Sequence, residues 1–367
     1  MDQDERKQLT TNLVLLFISL GLSILVVYHI YSLVSVKPAS PPAREETDDY
    51  ALSFYNHSGN PISERNGQLT MLIDPFTLYR NYPNQECRSY TINEHGFRDG
   101  YTSDQPQDTA VLLGSSAAFG EPLDDNNKTF ASIISRQNDK YDLLNCAVAG
   151  YLSGQELANM VHYIDDYHPD LYIVFDGWNE LFIPLEFEQV WTAGYGPIGF
   201  NNTFFITEER LAAYFEETKP EGMELPSFEK VGAPLTETEH YQAILEEYTS
   251  NIGKMSAFAK ARGAGFLLIF QPELGNKQAK SREEEQILKV WGKPREYLKK
   301  DVPKKYRELI DDAIEFCKDQ QIECFAINDA PEFNENPATL FYDPVHPNEL
   351  GHEIIAKIIN RKIEENF

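Results

Sequence analysis

Short apolar runs that end at small or polar residues recur along this 367-residue chain from residue 110 onward. Stretches with helical character separate these runs, and the order of strand then helix repeats five times. Such alternation is typical of a parallel β-sheet whose strands are joined by crossover helices. The sequence therefore predicts an α/β fold with a five-stranded parallel sheet. The predicted strands are 110–113, a run from 143 that ends at Gly150, 171–175, 265–270 and 323–327, and the clearest predicted helices are 155–167, 239–262, 303–320 and 350–363.

The first run leads into Gly114, Ser115 and Ser116, and small residues and a helical segment follow. Ser116 is therefore predicted to lie at a strand-turn-helix junction, exposed at the sheet edge and close to unpaired backbone N–H groups. Nucleophilic serines occupy turns of this kind. The same residues could instead form a loop with an N-cap serine. A shift of one residue in the turn would exchange the two serines, so Ser115 is a lesser candidate for the nucleophile.

A second candidate group lies near the carboxyl terminus, where Asp343 and His346 are three residues apart. Pro344 and Pro347 flank the histidine, so the segment is predicted to be a loop. In such a loop the carboxylate can accept the imidazole Nδ1–H, which leaves Nε2 free to act as a base. A serine hydroxyl needs an oriented base of this kind to become a nucleophile. The pair alone is a weak signal, because similar pairs also form simple loop hydrogen bonds.

Four blocks taken together resemble the SGNH, or GDSL-like, hydrolase superfamily, and they occur in the family order. The resemblance extends from about residue 92 to the carboxyl terminus, and its lead-in at 92–98 is similar to one found in many anchored or exported members. It implies a flavodoxin-like, three-layer α/β/α architecture. Two positions depart from the family pattern, since Ser115 stands where the family has Asp and Glu180 stands where Asp is more usual. The blocks are Gly114-Ser115-Ser116, 145–150, Gly177-Trp178-Asn179-Glu180 and Asp343-Pro344-Val345-His346.

The resemblance also implies roles for individual residues. Ser116 would be the nucleophile, His346 the general base and later acid, and Asp343 the residue that orients the histidine. The oxyanion hole would consist of the backbone N–H groups of Ser116 and Gly150 and the side-chain amide of Asn179. One such donor contributes about 3–4 kcal/mol to catalysis. The positions agree with this assignment, because each of the three follows a predicted strand and ligands collect at that edge of a parallel sheet.

The amino-terminal part of the chain predicts a membrane anchor. Residues 13–36 are almost entirely apolar, and about 24 residues can cross the roughly 30 Å hydrocarbon core as a helix. The run is longer than the apolar segment of a cleaved signal peptide, about 7–15 residues, and no clear cleavage site follows it. We expect a flank at 1–12, a transmembrane helix at 13–36, a proline-rich charged tether at 37–49 and the hydrolase domain at 50–367. The catalytic domain is expected to lie outside the cytoplasm.

Composition and charge argue against some classes of function. The formal net charge of -26 and the isoelectric point near 4.7 argue against nucleic-acid binding, which needs a basic face. No metal-ligand spacing occurs among the cysteines and no nucleotide-binding loop stands out, so neither a metal nor a cofactor is predicted. Disulfides are left open, with isolated thiols favoured. The four cysteines are Cys87, Cys146, Cys317 and Cys324.

Two insertions, at about 181–238 and 271–302, interrupt the strand-helix pattern, and a mostly irregular lead-in is predicted at 50–106. The first insertion is rich in aromatic residues and is predicted to form a lid or substrate wall, or a small separate core. Between 277 and 307 there are eleven Lys or Arg residues against five Asp or Glu residues. This basic island could dock an anionic glycan or a lipid head group, whereas a solvated helix face with ion pairs is the simpler interpretation.

The leading hypothesis is a membrane-anchored serine esterase of SGNH type that acts on O-acyl esters through an acyl-enzyme. The resemblance implies envelope or secreted glycans as substrates, because related exported members process acetyl groups on cell-surface polysaccharides, some as esterases and some as transferases. One alternative is a lipid-directed esterase, such as a lysophospholipase or thioesterase. Another is an envelope scaffold or glycan-binding module with a degenerate site. The acyl group, the acceptor, the choice between hydrolysis and transfer, the oligomeric state and any protein partner are left open.

Overall fold

The computed structural model describes residues 69, 71–87, 90–103, 107–187, 237–291 and 302–367. The chain divides into two units, Met1–Leu52 and Ser53–Phe367, and all described residues belong to the second. Its described strands are β1 (Met71–Asp74), β2 (Leu78–Asn81), β3 (Gln85–Glu86), β4 (Thr91–Ile92), β5 (Asp108–Gly114), β6 (Tyr141–Asn145), β7 (Leu171–Asp176), β8 (Gly265–Phe270) and β9 (Glu323–Ala326). Its described α-helices are α1 (Ser116–Phe119), α2 (Phe130–Gln137), α3 (Ser153–Asn159), α4 (Trp178–Phe187), α5 (Glu237–Arg262), α6 (Arg282–Trp291), α7 (Val302–Gln320), α8 (Pro331–Asn334) and α9 (Glu349–Asn366).

Strands β5 to β9 form one sheet in the order β6-β5-β7-β8-β9. Every neighbouring pair in this sheet is parallel. The chain therefore places β6 on one side of β5 and then adds β7, β8 and β9 in turn on the other side. This is the strand order of a flavodoxin-like, doubly wound sheet. The predicted α/β fold with a five-stranded parallel sheet is confirmed, but the second strand, predicted to start at 143 and end at Gly150, runs from Tyr141 to Asn145.

The central strands bury side chains on both faces of the sheet. In β5, Ala110 and Leu112 belong to one hydrophobic core, and Val111 and Leu113 belong to the other. Helices α2 and α9 contribute to the first core, and α5 and α7 contribute to the second. Strands that are covered on both faces are apolar at successive positions rather than at alternate ones. For this reason they appear in the sequence as continuous apolar runs.

The lead-in at 50–106 contains strands that were not predicted, and one predicted helix is divided. Strands β1 and β2 form an antiparallel pair, and β3 and β4 form another, so the mostly irregular lead-in also contains short strands that were not predicted. Strands of two to four residues are too short to show a periodic pattern. The predicted helix 155–167 is divided, because α3 ends at Asn159, a π-helix follows at 160–164 and a 3₁₀ turn at 165–167.

Several predicted segments lie outside the described residues. They are the flank 1–12, the transmembrane helix 13–36, the tether 37–49, residues 188–236 of the first insertion and residues 292–301 of the second. None of the described helices combines the length and the apolar character needed to cross a membrane. All four cysteines are described, and all four are free thiols.

The described part of the basic island is rich in ion pairs, as the simpler interpretation of its charge expects, but one pair lies in the interior rather than on a solvated helix face. The pair between Lys277 and Glu284 is fully buried, with Nζ 2.6 Å from Oε2. It also holds the segment before the loop with Asp343, because Lys277 donates to Ala338 O at 3.0 Å and Glu284 Oε1 accepts from Leu340 N–H at 2.8 Å. Further pairs join Lys304 with Glu308, Lys305 with Glu237, and Arg307 with Asp311 and Asp329.

We expect Lys277→Met to lower the free energy of unfolding by about 3–5 kcal/mol, because it leaves the Glu284 carboxylate buried without its counter-charge. Urea unfolding followed by circular dichroism measures this loss. Lys304→Met is the matched control, since Lys304 is 68% exposed beside Glu308 and such surface pairs contribute about 0–1 kcal/mol. An equally small loss in both variants would contradict the description of the Lys277 pair as a structural element of the interior.

Candidate active site

The turn after β5 presents Ser116 at the carboxyl edge of the sheet. Gly114 ends the strand at a φ of +147°, and a Cβ there would lie 2.4 Å from Phe175 O and 2.5 Å from Ala118 Cβ. Only glycine fits such a position. The chain then enters α1, whose first residue is Ser116. Ser115 is 2% exposed, whereas Ser116 is partly exposed, so Ser116 has the more accessible hydroxyl.

The loop that contains Asp343 and His346 is held by its own backbone. Phe341 and Pro347 form an antiparallel bridge at its base. Asp343 Oδ1 accepts hydrogen bonds from the N–H groups of Val345, at 2.8 Å, and His346, at 2.9 Å. One carboxylate oxygen therefore stabilises the turn, and the other is left for the imidazole ring.

Ser116, His346 and Asp343 form one hydrogen-bonded chain. His346 Nε2 lies 2.9 Å from Ser116 Oγ, and His346 Nδ1 lies 2.6 Å from Asp343 Oδ2. The imidazole is 3% exposed and Asp343 is 8% exposed, so both are screened from bulk water. The structure thus brings together the serine, the histidine and the aspartate that the sequence singled out. With Nδ1–H donated to the carboxylate, Nε2 can take the proton of the serine hydroxyl.

Burial and nearby charges set the protonation states of His346 and Asp343. Burial by itself lowers the pKa of His346, but the Asp343 carboxylate and the more distant Glu121 raise it, and the net pKa lies above the ordinary value. Burial raises the pKa of Asp343, whereas His346 and the backbone N–H groups lower it, and the net pKa lies below the ordinary value. Asp343 is therefore ionised at neutral pH. Glu121 was not singled out from the sequence, because neither its spacing nor its neighbours distinguish it from a surface carboxylate.

Activity is expected to fall as the pH drops through the pKa of His346, because only the neutral imidazole accepts the serine proton. The midpoint should lie above the value of about 6.5 that is usual for histidine. Glu121→Gln removes a negative charge that favours the protonated ring, so it should move this midpoint to lower pH. Profiles of kcat/KM against pH measure the shift, with Glu94→Gln, at an exposed position, as the control. A midpoint that is the same in wild type and Glu121→Gln would contradict this electrostatic assignment.

The three predicted oxyanion donors follow three adjacent strands of the sheet. Ser116 follows β5, Gly150 follows β6 and Asn179 follows β7. Within the described ranges, the backbone N–H groups of Ser116 and Gly150 donate to no other protein group. Asn179 Nδ2 donates to Tyr151 O at 3.1 Å, which occupies one of its two hydrogens. Each of the three positions therefore keeps a hydrogen that it can donate to a ligand.

Arg98, at the end of the 92–98 lead-in, supports the turn after Ser116. Its side chain is buried and donates to the carbonyl oxygens of Gly120, at 3.0 Å, and Leu123, at 2.9 Å. Its backbone forms a bridge with Asn145 at the end of β6. Arg98 therefore connects residues 92–98 to the turn after Ser116 and to the end of β6. This role was not predicted, because backbone carbonyls leave no pattern of side chains in a sequence.

The β1–β2 hairpin supports the loop that contains Gly150. Tyr79 OH donates to Ala149 O at 3.1 Å, and Tyr151 OH donates to Tyr79 O at 2.6 Å. These bonds lie on either side of Gly150 along the chain. This hairpin of the lead-in therefore supports the site.

A family model for GDSL-like lipases and acylhydrolases matches residues 110–359, which is more than half of the chain. The chain belongs to the GDSL-like lipase/acylhydrolase family. It is accordingly a hydrolase of ester bonds, of the SGNH type. The match begins in β5 and ends in α9, so it contains all the residues of the proposed site and leaves the lead-in outside. No curated protein matches the sequence.

Several solved structures align with the chain at low sequence identity. A lipolytic protein of the G-D-S-L family from Desulfitobacterium hafniense is 12% identical, and the alignment covers 69% of this chain and 98% of the other, with a TM-score of 0.41. A GDSL-like lipase from Bacteroides thetaiotaomicron is 17% identical, with 72% and 93% covered and a TM-score of 0.40. A catalytic mutant of an acetylxylan esterase from Geobacillus stearothermophilus is 12% identical, with 72% and 96% covered and a TM-score of 0.40.

Proposed function

We propose that this protein is a membrane-anchored serine esterase that removes O-acyl groups from envelope or secreted glycans, or transfers them to another hydroxyl. The observation that carries the chemistry is the 2.9 Å contact between Ser116 Oγ and His346 Nε2, with Asp343 Oδ2 2.6 Å from Nδ1. Membership of the acylhydrolase family supports ester cleavage.

In the proposed mechanism Ser116 Oγ attacks the acyl carbonyl carbon while His346 Nε2 takes its proton. The carbonyl oxygen becomes an alkoxide, which accepts hydrogen bonds from the N–H groups of Ser116 and Gly150 and from the Asn179 amide. The alkoxide collapses, and the leaving alcohol takes the proton from His346, which leaves the acyl group on Ser116. Water or a second hydroxyl, deprotonated by His346 Nε2, then attacks the acyl carbonyl carbon. The second alkoxide collapses, the carboxylic acid or the new ester leaves, and Ser116 Oγ takes the proton back from His346. Asp343 stays ionised and stabilises the imidazolium at each step.

The proposed location rests on the amino-terminal sequence. The apolar segment 13–36 supports an anchor, and the proline-rich tether 37–49 supports a catalytic domain held some distance from the membrane. Acylated glycans would be the nearest esters on the outer side. The basic island adds little support for an anionic substrate, because Lys277, Lys305 and Arg307 are in ion pairs.

The substrate class is tested by comparing acyl donors with the full-length protein in detergent. We expect p-nitrophenyl acetate to be cleaved faster than p-nitrophenyl laurate, and acetate to be released from an O-acetylated polysaccharide. A preference for the long acyl chain would overturn the glycan proposal in favour of a lipid-directed esterase. Failure of a fluorophosphonate probe to label Ser116 would overturn it in favour of a non-catalytic scaffold or glycan-binding module.

The location is tested in cells that express the full-length chain. We expect the protein to stay with the membranes after alkaline carbonate extraction. Protease added to cells with an opened outer layer should digest the catalytic domain. Recovery of the protein in the soluble fraction would contradict the anchor, and protection from the protease would contradict the outward orientation.

A further inference from the structure

Glu180 has no part in the mechanism above, although it follows Asn179 directly in the first turn of α4. Its side chain is buried and extends to the first residue of α3. Ser153 N–H donates to Glu180 Oε1 at 2.5 Å, and Ser153 Oγ donates to Glu180 Oε2 at 3.1 Å. Both carboxylate oxygens are therefore bonded to a residue that lies three positions after Gly150.

Other bonds connect the same segments. Asn179 Nδ2 donates to Tyr151 O at 3.1 Å, which lies between Gly150 and Ser153 in the chain. Asn251 Nδ2, from α5, donates to Ser153 Oγ at 3.2 Å, so the hydrogen of that hydroxyl remains for Glu180. Two successive residues of α4 thus hold the segment that directly follows Gly150.

The surroundings of Glu180 disfavour the ionised form of its side chain. Burial and the negative charge of Asp176 raise the pKa of Glu180, and Glu247 acts in the same direction. Glu156, on α3, is also buried, and it lies close to Asp176 and Glu180. Asp176 Oδ1 accepts a hydrogen bond from Tyr248 OH at 2.6 Å, and Glu247 Oε1 accepts one from Asn251 Nδ2 at 3.0 Å. Burying several carboxyl groups together costs stability, and conflicts of this kind concentrate at functional sites.

We propose that Glu180 is a positioning residue that sets the distance between two oxyanion donors, the Gly150 N–H and the Asn179 amide. The inference rests on the proposed function, since it concerns the alkoxide that forms at Ser116. Glu180 touches neither the substrate nor the reacting atoms, and it acts through Ser153. A shorter Asp, more usual at this position in the family that the sequence resembles, would reach less far toward α3 by one methylene group.

The test compares Glu180→Ala and Glu180→Asp with Glu156→Gln in the full-length protein. Glu156 is the matched control, because it is buried in the same group of carboxyl residues and its side-chain oxygens have no hydrogen-bond partner in the loops of Gly150 or Asn179. With p-nitrophenyl acetate, Glu180→Ala should lower kcat by about 10–100-fold, less than the complete loss of one donor, and change KM by less than about threefold. Glu180→Asp should retain more activity than Glu180→Ala, and Glu156→Gln should keep kcat within about twofold of wild type.

Two further measurements separate positioning from a general loss of structure. Amide hydrogen exchange over 150–153 should become faster in Glu180→Ala and stay unchanged in Glu156→Gln. In the background of Asn179→Ala, Glu180→Ala should lower kcat by a smaller factor than in wild type, because one of the two donors is already absent. A loss of kcat that matches the unfolded fraction seen by circular dichroism would overturn the proposal.

The outcomes also distinguish this inference from the proposed function. If Glu180→Ala keeps its kcat while Ser116→Ala is inactive, the positioning role is overturned and the serine mechanism stands. If Ser116→Ala is as active as wild type, the proposed function fails. In that case the exchange measurement still decides the positioning role, because unchanged exchange over 150–153 in Glu180→Ala would overturn it.

Discussion

Ser116→Ala is expected to lower kcat by at least about 10⁴-fold, the scale of losing the nucleophile of a serine hydrolase. His346 Nε2 lies 2.9 Å from Ser116 Oγ, and alanine leaves this base without a hydroxyl to activate. The fold should persist, because the hydroxyl is partly exposed and its contact is with a neighbouring side chain rather than with the core. Steady-state kinetics on p-nitrophenyl acetate and labelling by a fluorophosphonate probe measure the loss.

The neighbouring serine provides the control for this variant. Ser115 is buried, and its side chain makes no capping hydrogen bond to α1. We expect Ser115→Ala to keep kcat within about threefold of wild type and to be labelled by the probe. The reverse result, an inactive Ser115→Ala and an active Ser116→Ala, would place the nucleophile one residue earlier and contradict the assignment of the site.

Asp343→Asn is expected to lower kcat by about 10⁴-fold, because it favours the wrong tautomer of His346. Asp343 Oδ1 accepts from the N–H groups of Val345 and His346, so the oxygen of an asparagine should keep these two bonds. Its NH₂ group would then face His346 Nδ1, which must become an acceptor. The ring proton would move to Nε2, where it points at Ser116 Oγ and prevents the ring from acting as a base.

Asp343→Ala is the informative comparison for this prediction. It removes the orienting carboxylate without placing a donor beside Nδ1, so each folded molecule should be at least as active as Asp343→Asn. Nitrogen-15 spectra of the imidazole should show the proton on Nε2 in Asp343→Asn and on Nδ1 in wild type. An Asp343→Asn variant with more than about one hundredth of the wild-type kcat would contradict the tautomer argument.

Part of the fold and the site could be predicted from local patterns in the sequence. Strands β5, β7 and β8 were predicted because helices bury both of their faces and leave continuous apolar runs. Asp343 and His346 could be paired because they belong to one short loop. Charge was a poorer guide, since a count of lysines and arginines does not show that Lys277 lies in the interior with Glu284.

The sequence by itself determined the positions of β5, β7 and β8, the turn at Ser116 and the tight pairing of Asp343 with His346, because each depends on residues only a few positions apart. Only the tertiary structure decided that Ser116 Oγ meets an imidazole 230 residues away, because that contact depends on the order of strands in the sheet. It also decided the roles of Arg98 and Glu180. Both side chains bond to segments that are distant in the chain, largely through backbone groups, and backbone groups are the same at every position of a sequence.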